Sequence, residues 1–426
     1  VTPSLHLQAD FDFASVLRAG DVVAWPQGTG EPLGLTTRLV AERHSLPPIG
    51  LFFGMSTGKT LAPAHADHFT MRALNGAGTN RALAAAGVLD IIPTHVSTIP
   101  GLLRSGAIKV DVALLRVRPH PVPGYVTTGV IADYTQALIA AARCVIAEVD
   151  ERLPITGQDA LVPIADIDHF VPCTGAEMLL ADPVPSPRDT RIGEIVASFI
   201  PDRATVQLGI GALPVAVCRA LIGHRELGIH TGVVSDALVD LVEAGVVTNA
   251  HKGIDAGVSV IGGLFGARRL FCFADGNPAV AMRSADYTHN IATLAKIAAL
   301  HSVNSAVEVD LTGQVNAELA GGRYVGAVGG QVDFVRGAWA SAGGRSIIAL
   351  PSTTPDGRIS RIVTSLGGNP VTTARSDADV FITEFGVAEL RGCSFTERAR
   401  RLAAIAHPDF RADLLRGCAE PVVAAA

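Results

Sequence analysis

Two short stretches carry the residues best suited to chemistry. One is Gly209-Ile210-Gly211-Ala212-Leu213-Pro214; the other runs from Leu227 to Asp236 and reads Leu-Gly-Ile-His-Thr-Gly-Val-Val-Ser-Asp. In the first, Gly209 and Gly211 permit a sharp turn and a close approach of backbone to ligand, and Pro214 has the fixed φ of a first helical turn. The N–H groups at such a helix start favour phosphate or another anion. In the second, His230 reads as an oriented core histidine or as a group touching the reacting atoms, and Ser235 or Asp236 could cap a following helix over 237–243. A third stretch, Gly329-Gly330-Gln331, could present backbone N–H groups as an anion nest, able to hold the oxyanion formed when a thioester carbonyl is attacked. Arg361 and Arg375 are further candidates for phosphate, and Glu384 follows a strand end in Thr-Glu-Phe-Gly.

These groups need elements to hold them. Residues 204–209 and 227–230 read as buried parallel strands, the second breaking at Thr231-Gly232. Each opens into a helix, so both strand ends lie at the carboxyl edge of one sheet, where α/β proteins form ligand crevices. A dinucleotide site is the first rival. It is disfavoured because Pro214 stands where a third glycine belongs and the acidic residue expected about 20 residues on is missing. Gly58-Lys59-Thr60 lacks the preceding glycine of a phosphate-binding P-loop.

Composition narrows the classes. The 426 residues carry 34 basic and 40 acidic side chains, a net charge of −6 with no basic cluster, which argues against nucleic acid. The chain is 48% hydrophobic and only 17% charged, which suits buried parallel sheets and a homodimer or higher homo-oligomer. No run approaches a membrane span, and the start Val1-Thr2-Pro3-Ser4 carries no signal-peptide pattern. The six cysteines, 144, 173, 218, 272, 393 and 418, form no Cys-x-x-Cys pair. The expectation is free thiols in a reducing cytoplasm and no metal site.

Strand and helix patterns alternate along the chain. A short helix is expected over Phe11–Ala19, then a strand at 21–25, the loop Pro26–Pro32, a helix over 33–45 and a strand at 49–53. Further strands follow near 91–92, 110–115 and 145–149, with a helix over Tyr134–Ala142. The proline-rich segment 181–188 has no periodicity and reads as a linker. Beyond it, strands are expected near 204–209, 227–230, 258–262, 269–273, 301–304, 346–350 and 379–383. The architecture expected is α/β, with an N-terminal domain over 1–183, a linker over 184–191 and a C-terminal, ligand-binding domain over 192–426, the site lying in the cleft between them.

Several long strings then converge. QLGIGALP (207–214), VEVDLTGQVNAE (307–318), VGGQVDFVRGA (328–338) and VTTARSDADVFITEFGVAELRG (371–392) make the chain resemble the acetyl-CoA hydrolase/CoA-transferase family, of the 4-hydroxybutyrate CoA-transferase type. The resemblance runs from about residue 190 to the end and continues more weakly before it. It implies two domains of the NagB/RpiA/CoA-transferase-like fold with mainly parallel sheets. It also implies coenzyme A thioesters as substrate, a small acceptor, no metal and a homo-oligomer. On that basis CoA is expected near Gly209, Ile210, Gly211, Ala212, Pro214, Gln331, Arg361, Arg375 and Glu384, with Gly329 and Gly330 near the reacting carbonyl.

The resemblance also exposes two departures. In the family a glutamate after the His-Thr pair attacks the acyl-CoA and passes through a glutamyl-CoA thioester. Here that position is Gly232, which has no nucleophile. Among acids nearby, Asp236 is placed to cap a helix, Glu243 lies about 16 Å further along it, and Glu308 sits on a strand of unknown facing. Second, the family's acidic loop in the N-terminal half reads Arg116-Val-Arg118-Pro-His120-Pro-Val-Pro-Gly124-Tyr125. Arg118 could bind an acyl carboxylate and His120 could serve as a base, or the loop is simply solvated. Three readings follow: an acyl-CoA enzyme using direct attack by water or another acceptor, an inactive CoA-binding module, or an ordinary transferase carrying a Glu→Gly change. The first is favoured.

Overall fold

The computed structural model describes residues 5–417. Two large sheets organise it. The first holds β1 (Val22–Trp25), β2 (Ile49–Phe53), β3 (Phe69–Ala73), β4 (Leu89–Ile91), β5 (Val112–Pro119), β6 (Tyr125–Thr127), β7 (Cys144–Val149), β8 (Leu161–Pro163) and β9 (His169–Pro172). Seven of these pair in parallel in the order β4-β3-β2-β1-β5-β7-β9, while β6 and β8 add antiparallel beside the end of β5. Strand β5 reads Val-Ala-Leu-Leu-Arg-Val and is buried throughout that run, as a strand covered on both faces requires.

The second sheet uses β10 (Thr205–Leu208), β11 (Gly228–Val234), β12 (Ser259–Leu264), β13 (Val280–Met282) and β14 (Leu300–Asn304). Small pairings follow in β15 (Glu308–Asp310), β16 (Val315–Asn316), β17 (Leu319–Ala320) and β18 (Arg323–Tyr324). The large sheet resumes with β19 (Arg345–Ala349), while β20 (Ile362–Val363) joins β15, and β21 (Val380–Thr383) and β22 (Gly386–Glu389) close the edge. Its order is β13-β12-β11-β10-β14-β19-β21-β22, parallel except for the last strand. Strand order reverses between β1 and β5 in the first sheet and between β10 and β14 in the second. Crevices open at the carboxyl ends of such switch points.

Helix Pro187–Phe199 packs on helix Ala212–Ala220 at a separation only glycine allows: a Cβ at Gly193 would meet the Ala216 carbonyl carbon at 2.7 Å. Gly211, at φ +117°, makes the turn out of β10 that ordinary residues resist.

The structure corrects four local expectations. Strand β11 does not break at Thr231-Gly232 but runs on to Val234, because β12 continues to pair with it through Gly263 and Leu264. Residues 269–273 are not a strand; they lie in helix Arg268–Ala274, whose Leu270, Phe271 and Ala274 share one buried face. A short apolar run does not distinguish the two states by itself. Asp236 does not cap its own helix with its side chain. Its carboxylate accepts from Ala267 N–H and Leu270 N–H, fixing the start of that next helix. Phe11–Ala19 holds only the single turn Phe13–Ser15, capped by Asp12.

Among the described residues no helix is long and apolar enough to cross a membrane. The five described cysteines are free thiols, and Cys418 lies outside the described residues.

Candidate active site

The carboxyl ends of β10, β11 and β14 meet the loop after β1 around a cavity of about 190 Å³. Gln207, Gly209, Thr231, Gly232 and Asn304 line it from the second sheet, Gln27 and Asp133 from the first half, and Gly330, Gln331 and Phe334 from the start of helix Gln331–Ala340. His289 completes the wall. Both switch points thus face one space, which the strand order dictates.

Gly232 is the centre of this wall. A Cβ built there would lie 2.7 Å from His289 Cε1 and 2.9 Å from Nε2, and one built at Gly330 would lie 2.5 Å from the same Nε2. The imidazole therefore fills the room between the two glycines. It is held there by a 4.7 Å ring contact with Phe334 and by Nδ1, 2.8 Å from Thr288 Oγ1. The Thr288 hydroxyl donates to Ser284 O at 3.1 Å, and a carbonyl can only accept. With the hydroxyl proton assigned to Ser284 O, the hydroxyl accepts from His289 Nδ1–H, and in that tautomer Nε2 is an acceptor beside Gly232 and Gly330. Burial, with the nearby His230 ring, pulls the His289 pKa down to about 3, so the ring is neutral at pH 7.

Among the described residues Asp133 is the one carboxylate on the cavity wall. It is buried, and Oδ1 accepts from Tyr134 N–H at 2.6 Å while Oδ2 accepts from Gln27 Nε2 at 2.8 Å. Burial pushes its pKa up to about 7 against those two hydrogen bonds. Gln27 is itself oriented, since its Oε1 accepts from Met55 N–H at 3.3 Å. Across the cavity Asn304 Nδ2 donates to Gln207 Oε1 at 3.1 Å, and Gln331 Nε2 to Thr373 Oγ1 at 3.0 Å.

Of the residues expected from sequence, Gly209, Gly232, Gly330 and Gln331 come together on this wall. Gly329, at φ +59°, makes the turn before Gly330 and accepts from Val96 N–H. Gly211 and Ala212 turn away into the helix after β10, with Ile210 beside them, and Pro214 lines a separate small void. His230 does not reach the cavity: it is fully buried behind it, with Nε2 3.1 Å from Thr288 O. Arg118 and His120 also lie off the wall, because β5 carries them past it. Arg118 donates to Leu153 O and faces Asp275 at 3.3 Å, and His120 Nδ1 accepts from Val122 N–H.

Arg361 and Glu384 form a second group with Arg188. Glu384 accepts from Ser352 N–H at 2.9 Å and Ser352 Oγ at 2.8 Å, and Arg188 Nε lies 3.5 Å from it. Burial and the Arg188 charge press the Arg361 pKa below its ordinary value. The carboxylates of Glu384 and Asp189 act in the opposite sense, so two guanidinium groups stand near two acids. Arg375 is elsewhere, its guanidinium 5.5 Å from the Phe395 ring.

Sequence reasoning missed Asp133, His289, Gln27 and Arg188. Asp133 stands directly before an expected helix, where an acid reads as a cap, and Gln27 sits in a loop noted only as a loop. His289 had no local signal, since its importance comes from the glycines it covers. A larger cavity of about 960 Å³, between helix Asn80–Ala85 and the β17–β18 hairpin, is lined by Lys59, Arg81 and Arg323, and among the described residues no carboxylate or imidazole lines it. The smaller cavity carries both, in Asp133 and His289. Among the described residues no His, Cys, Asp and Glu cluster is placed to hold a metal ion.

The chain is similar to known proteins over most of its length. Residues 7–178 match the acetyl-CoA hydrolase/transferase N-terminal domain and residues 266–418 the C-terminal domain. The 4-hydroxybutyrate coenzyme A transferase of Clostridium kluyveri is 39% identical over 398 residues, 92% of each chain. The succinyl-CoA:cyclohexane-1-carboxylate CoA transferase of Geobacter metallireducens is 36% identical, covering 94% of this chain and 92% of that one. The crystal structure of RipA from Yersinia pestis superposes with a TM-score of 0.90 at 34% identity, over 96% of this chain and 95% of that one. A 4-hydroxybutyrate CoA-transferase from Porphyromonas gingivalis superposes at 0.81 with 33% identity, over 95% of both.

Proposed function

The chain belongs to the acetyl-CoA hydrolase/transferase family, and from that premise we propose that it acts on acyl-CoA thioesters by direct attack of water or another small acceptor, without a glutamyl-CoA intermediate. It is an acyl-CoA enzyme of the CoA-transferase type, with the two-domain α/β fold of its relatives. The observation that supports direct attack is the pair Gly232 and His289. The resemblance puts the family's glutamate at 232, where this chain has no side chain and an imidazole fills the space. A covalent route through that position has no nucleophile.

In this reading CoA lies with its thioester end in the cavity at Gly209, Gly330 and Gln331, next to the turn at Gly329, and its phosphates toward Arg188 and Arg361. The first turn of helix Gln331–Ala340 has N–H groups without helical partners, suited to a developing oxyanion. Arg361→Ala is expected to raise KM for acyl-CoA roughly tenfold with kcat little changed, the loss of about 1–2 kcal/mol of uniform binding. Steady-state kinetics on the variant check this, and a fall in kcat with constant KM would place Arg361 at the reacting carbonyl instead.

The function itself is tested by incubating the protein with acetyl-CoA and butyryl-CoA, reducing with borohydride and mapping peptides by mass. The expected result is thioester consumption with no reduced or CoA-bearing glutamate. A trapped glutamate would restore the covalent route through another carboxylate. CoA binding without thioester consumption would leave a binding module.

A further inference from the structure

Resting on direct attack, and deepening it, we infer that Asp133 is the general base that activates an attacking water, with His289 Nε2 as that water's second acceptor. Among the described residues, Asp133 and His289 are the only titratable side chains on the cavity wall. Each oxygen of Asp133 accepts one protein hydrogen bond, which leaves lone-pair capacity on both. No Lys or Arg pairs with this carboxylate among the described residues, so nothing structural has claimed its charge. His289 offers a bare Nε2 lone pair between Gly232 and Gly330. Two acceptors facing one cavity suit a nucleophile with two protons. Water has two; an alcohol has one and would leave an acceptor empty.

The step balances as a hydrolysis. Water oxygen forms a bond to the thioester carbonyl carbon while one water proton passes to Asp133. The adduct collapses with cleavage of the C–S bond, and the departing thiolate takes the proton from Asp133. The products are a carboxylic acid and CoA thiol, with Asp133 ionised again. A base working at neutral pH is most effective with a pKa near the working pH, and burial sets Asp133 there, at about 7. His289, at about 3, is too weak a base and serves to orient.

The ionisable surroundings of Asp133 are quiet. Tyr134 is held neutral by burial, and His289 is neutral. On the adjoining helix Ala285–Thr288, Asp286 pairs with Arg104 and Tyr287 donates to Asp255. Arg283 faces Asp159.

The test is the pH profile of kcat/KM for acetyl-CoA hydrolysis in the parent protein and two variants. The parent should gain activity as pH rises through about 7, the pH at which Asp133 ionises. Asp133→Asn should lose roughly 10²–10⁴-fold and its pH midpoint, while still binding CoA by calorimetry. Gln27→Met removes a hydrogen bond to the ionised carboxylate, so its midpoint should move upward even if Asp133→Asn fails to fold. Hydrolysis that survives Asp133→Asn within tenfold, or a Gln27→Met midpoint that stays in place, overturns the inference while direct attack stands. A CoA-bearing or reduced carboxylate in the parent overturns both.

Discussion

Gly232→Glu alone is expected to abolish turnover of acyl-CoA and to create no CoA transfer to acetate. The sequence alone predicts that a glutamate at 232 would be held beside the thioester and gain weak transfer. The structure changes that expectation, because the first atom of the new side chain would lie 2.7 Å from a buried, hydrogen-bonded imidazole. Overpacking of that kind costs about 1–3 kcal/mol, and the carboxylate beyond it would displace the attacking acceptor. Gly232→Glu with His289→Ala opens the space. The double variant is expected to transfer CoA from butyryl-CoA to acetate at least about tenfold above the parent, a barrier difference of about 1.4 kcal/mol. Transfer and hydrolysis measured on one preparation decide the matter. Transfer by the single variant would show that His289 moves aside freely; none by the double variant would show that the cavity differs beyond this pair.

Asp150→Ala is expected to destabilise the protein by about 3–5 kcal/mol, the cost of leaving a buried charge without its partner. Arg116 and Asp150 are both almost fully buried, at 2% and 3% side-chain exposure, with Nη2 2.7 Å from Oδ2, and Arg152 bonds the same carboxylate at 2.7 Å. Burial pushes the Asp150 pKa up, but the Arg152 hydrogen bonds and the Arg116 charge outweigh it and hold it far below the usual range. The stabilisation is therefore complete above the unfolded-state value of about 3.9 and is lost as the pH falls from there toward the lower folded value. Urea midpoints at pH 7 and below pH 4 check both parts. The parent and the variant should differ most at pH 7 and converge in acid; an equal gap at both would assign the effect to packing.

Much of the frame was legible because it rests on chain-local signals. Apolar runs such as Val112–Leu115, within the strand expected near 110–115, mark strands covered on both faces, and Gly209-Ile-Gly211 marks a turn that few other residues could make. The long strings around 307–338 and 371–392 carried the family. Errors arose where local pattern gave way to tertiary pairing. Strand β11 continues through Gly232 because β12 lies alongside it, and 269–273 is helical because Asp236 caps it from a distance. The site was half visible for the same reason. Glycines announce a close approach but not what approaches, so His289 over Gly232 and Gly330 left no trace in the chain. Asp133, directly before the helix expected over 134–142, drew no reading from the sequence; its place beside an open space comes from the fold.

Residues Val130–Ala132 belong to the first half of the chain, yet their backbone runs alongside the far end of β12, where β13 has stopped. Ala132 N–H donates to Gly262 O, Leu264 N–H donates to Val130 O, and Ile131 bridges Gly263. Their side chains sit in the same apolar cluster as β10, β11 and β12, and Thr29 Oγ1 reaches across to Leu264 O at 2.6 Å. The two halves are thus stitched, not merely docked. Heating should melt them in one cooperative transition, and either half made alone would expose an unpaired edge and raw apolar surface to aggregation. A chimera that exchanges one half between relatives would keep its fold only if 128–133 and 262–266 travelled together.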